Sequence, residues 1–212
     1  MLDALGPWRE RTGVAEDENG LLAAYGRQET VVQIENPTML YRDVVAAVLG
    51  RMAHELGAPA KDTEMREFGD FVGAWPPFPD SVEALAYLRQ HFKLVAITNV
   101  DNRSFARTHL LLSKPFHAIV TAEDVGSYKP GHEIFYVAFE KIAELGIARS
   151  KTLHLAQSLY HDIAPARALG LPNVWVDRQT GYGSGITPLT NTVPDLRVTT
   201  LEEFAALHRA ED

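Results

Sequence analysis

The chain has 212 residues, 46% of them apolar and 23% charged, which suits one folded domain or two small ones and excludes wholesale disorder. Lys plus Arg number 20 against 28 Asp plus Glu, a formal charge of −8 with no basic run, so neither nucleic acid nor a phosphate backbone is an expected partner. Cysteine is absent, which removes disulfides, thiol nucleophiles and thiolate metal sites together. No apolar run approaches the ~18 residues of a membrane span. Met1 to Pro7 lacks the basic start and apolar run of a signal peptide. A cytoplasmic protein without membrane partners is expected.

Taken in chain order, the first 75 residues read as helical, and no strand pattern stands out in them. A weak helix is predicted over Glu18 to Gln28. A stronger one carries Met39, Leu40, Val44, Val45, Val48, Leu49, Met52 and Leu56 at three- and four-residue intervals, stopped by Gly57 and Pro59. That stripe could support a homodimer or cover a core equally well. Trp75-Pro76-Pro77-Phe78-Pro79-Asp80 then forms a stiff connector, since proline neither continues a helix nor joins a central strand. The predicted division is a helical region over 1–75 and a second region over 76–212.

After the connector, strands and helices alternate. Asp80, with Glu83 three residues on, reads as the N-cap of a helix carrying Val82, Leu85 and Leu88. Apolar strands are predicted at Lys93 to Thr98, His117 to Thr121, Thr152 to Ala156 and Asn173 to Asp177, with helices at Ser104–Leu112, His132–Leu145 and Tyr160–Leu169 between them. Gly146 and Gly170 suit left-handed residues after the last two helices. Gln179 to Pro194 reads as loop, and Thr200 with Glu203 as a capping box for a terminal helix. This grammar implies an α/β fold with a parallel, doubly wound, Rossmann-like sheet.

In such sheets ligands bind beyond the carboxyl ends of the strands. That rule selects Thr98 and Asn99 after the first strand, Lys129 after the second, and Ser158 with Asp162 after the third. Each also has an ordinary reading: helix caps for Thr98 and Asn99, a solvated loop lysine for Lys129, a helix-dipole partner for Asp162. Their common sheet edge favours a site.

Thr98-Asn99, Ser127-Tyr128-Lys129-Pro130 and Gln157-Ser158-Leu159-Tyr160-His161-Asp162 resemble the second, third and fourth motifs of the haloacid dehalogenase superfamily. The connector, Thr121 to Pro130 and His154 to Asp162 narrow the resemblance to its type II group, which includes L-2-haloacid dehalogenases and an azetidine-2-carboxylate hydrolase. The resemblance spans essentially the whole chain and implies a helical cap ahead of a Rossmann-like hydrolase core. It implies hydrolysis through a covalent aspartyl ester. Thr98 and Asn99 would hold substrate charge, Lys129 would keep the nucleophile ionised, Asp162 would orient Lys129 or water, and Ser158 would support them. Arg27 is the cap candidate for a carboxylate substrate, because a guanidinium fork fits that group; Trp75 and Tyr128 are further substrate-binding candidates. Read plainly, Arg27 is a surface residue on an amphipathic helix.

Two departures from the family pattern matter. Gln157 stands where phosphatases of the superfamily carry an acidic residue, which weakens a Mg²⁺ site and favours metal-free displacement at carbon. The first motif, an apolar strand ending in the nucleophilic aspartate, is not found. Asp3 has too few residues before it, and Asp177 with Thr180 imitates the motif only superficially, on the last strand. The family places that missing strand between those ending at Thr98 and Ala156. The expectation is therefore a truncated record, direct pairing of those two strands, or a strand borrowed by swapping. Three functions stay open: a hydrolase acting at the 2-position of a small carboxylic acid without cofactor, an inactive fragment, and a small-metabolite phosphatase using Mg²⁺.

Overall fold

The computed structural model describes residues 1–182 and 190–211. Its residues divide into two units. The first comprises Met1–Trp75, Asn99–Thr108 and Thr121–Tyr128; the second comprises Pro76–Thr98, His109–Val120 and Lys129–Asp212.

The first unit is built on α1 (Gly6–Thr12), α2 (Glu18–Glu35), α3 (Tyr41–Glu55) and α4 (Asp62–Asp70). α2 starts where the sequence places it, with the Asp17 carboxylate accepting from the Gly20 N–H at 2.7 Å, but it runs seven residues beyond Gln28. The extension follows from Val32, which is buried in the helical core. The α3 stripe is buried within this unit: Val44, Val45, Val48, Leu49 and Met52 are all at most 1% exposed. α1 and α4 were not legible in sequence. α1 is short and held by a single buried aromatic, Trp8, whose indole N–H donates to the Ala58 carbonyl at 2.8 Å. α4 lies so close to α3 that a Cβ on Gly69 would stand 2.2 Å from the Arg42 carbonyl oxygen. Val100 and Tyr128 pack against the same apolar cluster, which is why the segments around them group with the helices.

The second unit contains α5 (Ser81–His91), β1 (Val95–Thr98), most of β2 (Ala118–Thr121), α8 (Glu133–Glu144), β3 (His154–Ala156), α9 (Ala164–Ala168), β4 (Asn173–Val176), α10 (Arg178–Tyr182), β5 (Leu196–Val198) and α11 (Leu201–Glu211). Two elements, α6 (Asn102–Leu111) and α7 (Ala122–Val125), begin in the segments that group with the helical unit. Among the described residues the strands form two ladders, β1–β2 and β3–β4–β5, the latter parallel throughout. β1 and β3, whose direct pairing is one way to complete a single sheet, are not neighbours in either ladder.

Three local expectations need correcting. Asp80 occupies the N-cap position of α5, but its side chain does not cap that helix. Both carboxylate oxygens instead accept from the Arg178 guanidinium at 2.8 Å, and Oδ2 also accepts the Leu201 N–H at 2.7 Å, so Asp80 caps α11. A buried guanidinium 98 residues away outcompetes the local backbone. Tyr160–Leu169 is not one regular helix: a wide π-type turn over Leu159–Ile163 precedes α9. β5 was not predicted: Leu196–Arg197–Val198 follows a Pro/Thr-rich stretch, and its partner β4, not its own pattern, makes it a strand. The loop predicted over Gln179 to Pro194 lies partly outside the described residues; its start forms α10.

Candidate active site

A buried apolar strand that stops leaves its last carbonyls in need of donors. At the end of β1 the Ile97 carbonyl accepts from Lys129 Nζ at 3.1 Å. The same ammonium donates to Asp162 Oδ1 at 2.7 Å, and the two side chains are only 9% and 10% exposed. Lys129 reaches this position from a loop whose Lys129–Pro130 peptide is cis. The solvated reading of this lysine therefore fails.

Asp162 sits in the π-type turn that follows β3. The Ser158 hydroxyl opens that turn, accepting the His161 N–H at 2.9 Å, while the Ser158 carbonyl accepts the Asp162 N–H at 3.1 Å. From β4, the Trp175 indole N–H donates to the Gln157 carbonyl at 2.8 Å and pins the start of the turn. Ser158 thus shapes the segment that presents Asp162. A π-type turn at such a place often marks a functional site, because it re-aims side chains.

Burial by itself would raise the Asp162 pKa, but the Lys129 ammonium and the adjoining His154 hold this carboxyl well below the usual range. His161 moves the other way: burial, reinforced by Lys129 and opposed by Asp162, pushes its imidazole down to about 4. His154 and His161 escaped the sequence reading. His154 Nε2 is buried, has no hydrogen-bond partner among the described residues, and stands 3.6 Å from Asp162 Oδ1. Their flanking of the Gln157-Ser158 pair was the available signal.

Of the remaining candidates, Thr98 closes β1 directly after Ile97 in the second unit, and Arg27, Trp75, Asn99 and Tyr128 belong to the first. Arg27 is 59% exposed and bonded to Glu55 at 2.5 Å, as an ordinary surface ion pair. Trp75 packs on the helical core. The Tyr128 hydroxyl donates to the Met39 carbonyl, and burial raises its pKa. Next to Asn99 and Val100, Asp101 is 1% exposed and accepts the N–H groups of Ser104 at 3.0 Å and Arg42 at 3.1 Å. A half-buried carboxylate in this unit, Glu29, accepts the Tyr41 hydroxyl at 2.5 Å. Asp177, the superficial imitation of a nucleophile, is held by the Thr180 hydroxyl at 2.8 Å and Arg197 at 2.6 Å.

Residues 5–170 match the haloacid dehalogenase-like hydrolase family. A phosphoserine phosphatase from Thermus thermophilus is 28% identical over 152 residues, which are 69% of this chain; the chain spans only 57% of that relative's length. Among solved structures, the HAD-hydrolase YfnB from Bacillus subtilis, bound to magnesium, is similar with a TM-score of 0.76 at 20% identity, covering 98% of this chain and 90% of that one. The L-2-haloacid dehalogenase from Xanthobacter autotrophicus with chloropropionic acid covalently bound gives a TM-score of 0.74 at 14% identity, covering 97% and 93%. At such identities the two structures establish the fold: α/β, with helices and parallel strands.

Proposed function

Because the chain belongs to the haloacid dehalogenase-like hydrolases, we propose that it contributes the lysine–aspartate half of a hydrolase that displaces a substituent at the 2-position of a small carboxylic acid. The observation that carries this reading is the buried Lys129–Asp162 pair at the end of β1. Withdrawing two charges from water costs several kcal/mol per ion, and a buried pair is weak evidence of stability. Its place at the carboxyl end of a strand, where open α/β sheets bind ligands, argues that chemistry retains it.

In this reading an aspartate carboxylate attacks C2, and the leaving group departs with the bonding pair. Water then adds to the aspartyl ester carbonyl, releasing the 2-hydroxy acid and restoring the carboxylate. Lys129 keeps that carboxylate ionised by its adjacent positive charge. Asp162 holds the ammonium in place, Ser158 shapes the turn that carries Asp162, and Thr98 offers a hydroxyl to the developing charge.

One observation favours a second reading, the likeness to the Thermus thermophilus phosphoserine phosphatase. A phosphatase of this superfamily would bind Mg²⁺ through hard anionic oxygens. Here Gln157 brings an amide, and the Asp162 carboxylate is engaged by Lys129 and faces His154. Among the described residues no three His, Cys, Asp or Glu side chains are grouped for a metal. The residues present fit the cation poorly.

Halide release from 2-chloropropionate without added metal tests the proposal, using the chain extended at Met1 by an apolar strand ending in aspartate. Turnover is expected, with a loss of about 10²–10³-fold in the Lys129→Ala variant. The 212-residue chain alone is expected to be inactive. Mg²⁺-dependent release of phosphate from phosphoserine, with no halide release, would replace the first reading by the second.

A further inference from the structure

Two helices of the second unit end side by side. α5 and α11 pack through the buried Ala84, Leu88 and Ala205, and Asp80 fixes the start of α11. Three residues beyond Leu88 and three beyond Ala205, in the last turn of each helix, come His91 and His208. Their imidazole centroids are 4.9 Å apart, with the rings inclined at 60°. The ordinary reading is an aromatic cluster, since Tyr87 and Phe92 also flank His208, at 5.8 and 4.8 Å between ring centroids. Three features go beyond it. A metal ion held at about 2.0–2.1 Å by one nitrogen of each of two imidazoles sets the ring centroids about 5 Å apart, the separation found here. The Tyr87 hydroxyl lies 2.9 Å from His208 Nδ1. With Nδ1 as the donor, Nε2 keeps its lone pair for a ligand, and such a second bond is the usual support of a metal-bound histidine. The carbonyl ends of both helices also meet at this pair, and the partial negative charge of a helix C-terminus favours a cation. The Arg209 guanidinium lies over the Tyr87 ring at 4.3 Å, but Glu202 pairs with it at 2.7 Å and offsets its charge.

We propose that His91 and His208 form a binding site for a divalent cation of the zinc class, which clasps the end of α11 to the end of α5. Imidazole selects Zn²⁺ over Mg²⁺, which takes hard oxygen ligands. Among the described residues no third His, Cys, Asp or Glu joins the pair. Two protein ligands leave the other tetrahedral positions to water, so the site is open and exchangeable, unlike the closed four-ligand sites that build small zinc domains. His91 is exposed, and the cation reaches the pair from solvent without any opening of the core. Because both ligands are presented by helices already packed on each other, little has to be ordered on binding. The clasp is independent of the hydrolase reading, since it uses no residue of the candidate active site.

The test titrates Zn²⁺ into the 212-residue chain while the histidine ring signals are followed by NMR. His91 and His208 are expected to shift together and to saturate at one Zn²⁺ per chain, with the urea midpoint raised at unchanged slope. Mg²⁺ at the same concentrations should move neither signal. His91→Gln removes one ligand from an exposed position, so the variant should unfold at a urea midpoint close to that of the native chain and lose about 100-fold or more in Zn²⁺ affinity. Tyr87→Phe should keep the site but weaken it about tenfold, through the lost bond to Nδ1. Absence of a saturable shift would overturn the proposal, as would undiminished Zn²⁺ affinity in His91→Gln or equal binding of Mg²⁺. One Zn²⁺ per two chains, with dimer formation, would overturn it too, because the ligands would then come from separate copies.

Discussion

At the scale of single residues, the buried ion pair separates two roles that one substitution confuses. Lys129→Met leaves the Asp162 carboxylate buried without its ammonium, which should cost about 3–5 kcal/mol in urea unfolding. The double change Lys129→Met with Asp162→Leu removes both charges and should recover most of that loss, since an apolar replacement of a buried pair is often close to neutral. Activity of the extended chain should not recover with it. His161 allows a second measurement. Its folded pKa of about 4 lies below the ordinary 6.5, so the unfolded chain takes up this proton first. The contribution of neutral His161 is complete above 6.5 and is lost as pH falls toward 4. In His161→Gln the slope of unfolding free energy across that window should flatten, a difference of about 3 kcal/mol at its acid end. Lys129 and Asp162 could be selected from sequence because they follow strands; the histidines offered only their places flanking Gln157-Ser158, since the fold is what buries them beside the pair.

Among elements, two contacts decide how segments meet. Gly69 lets α4 approach the backbone of α3, and Gly69→Ala should destabilise the chain by about 1–3 kcal/mol, measured as a lowered urea midpoint at unchanged slope. Asp80 joins the connector to α10 and α11 through Arg178 and the Leu201 N–H. Asp80→Ala removes the carboxylate that faces a guanidinium only 4% exposed and uncaps α11, so a loss of about 3–5 kcal/mol is expected, with fraying of Leu201–Glu203 visible in hydrogen exchange. The helix at Tyr41–Glu55 and the strands β1 to β4 were legible because their periodicity reports one buried face or two. β5 and α4 were not: β5 is three residues long, and α4 has a single fully buried large side chain, Phe68. The capping pattern at Asp80 misled for a related reason. A sequence pattern lists local donors, and the partner that took the carboxylate lies far along the chain.

For the whole molecule, acid should act in two stages. Burial lowers the pKa of His109, His117 and His161, so stability first declines as pH falls below 6.5. Asp80, Asp162 and Asp177 are held low despite burial by their cationic and hydrogen-bonding partners. Their contribution is complete above the ordinary 3.8 and is lost as pH falls from there through their folded values. Denaturant midpoints measured against pH should therefore show a shallow decline followed by a steep one. No described helix is long and apolar enough to cross a membrane. By itself the sequence determined the α/β class and the places of Lys129 and Asp162 after strands, because periodicity and spacing act along the chain; the family resemblance rested on its motifs. The tertiary structure alone decided that the strands divide into two ladders, that His91 and His208 meet at the ends of α5 and α11, and that two histidines attend Asp162. Strand pairing and burial arise between residues far apart in sequence, and their energies depend on which edges and charges the folded chain brings into contact.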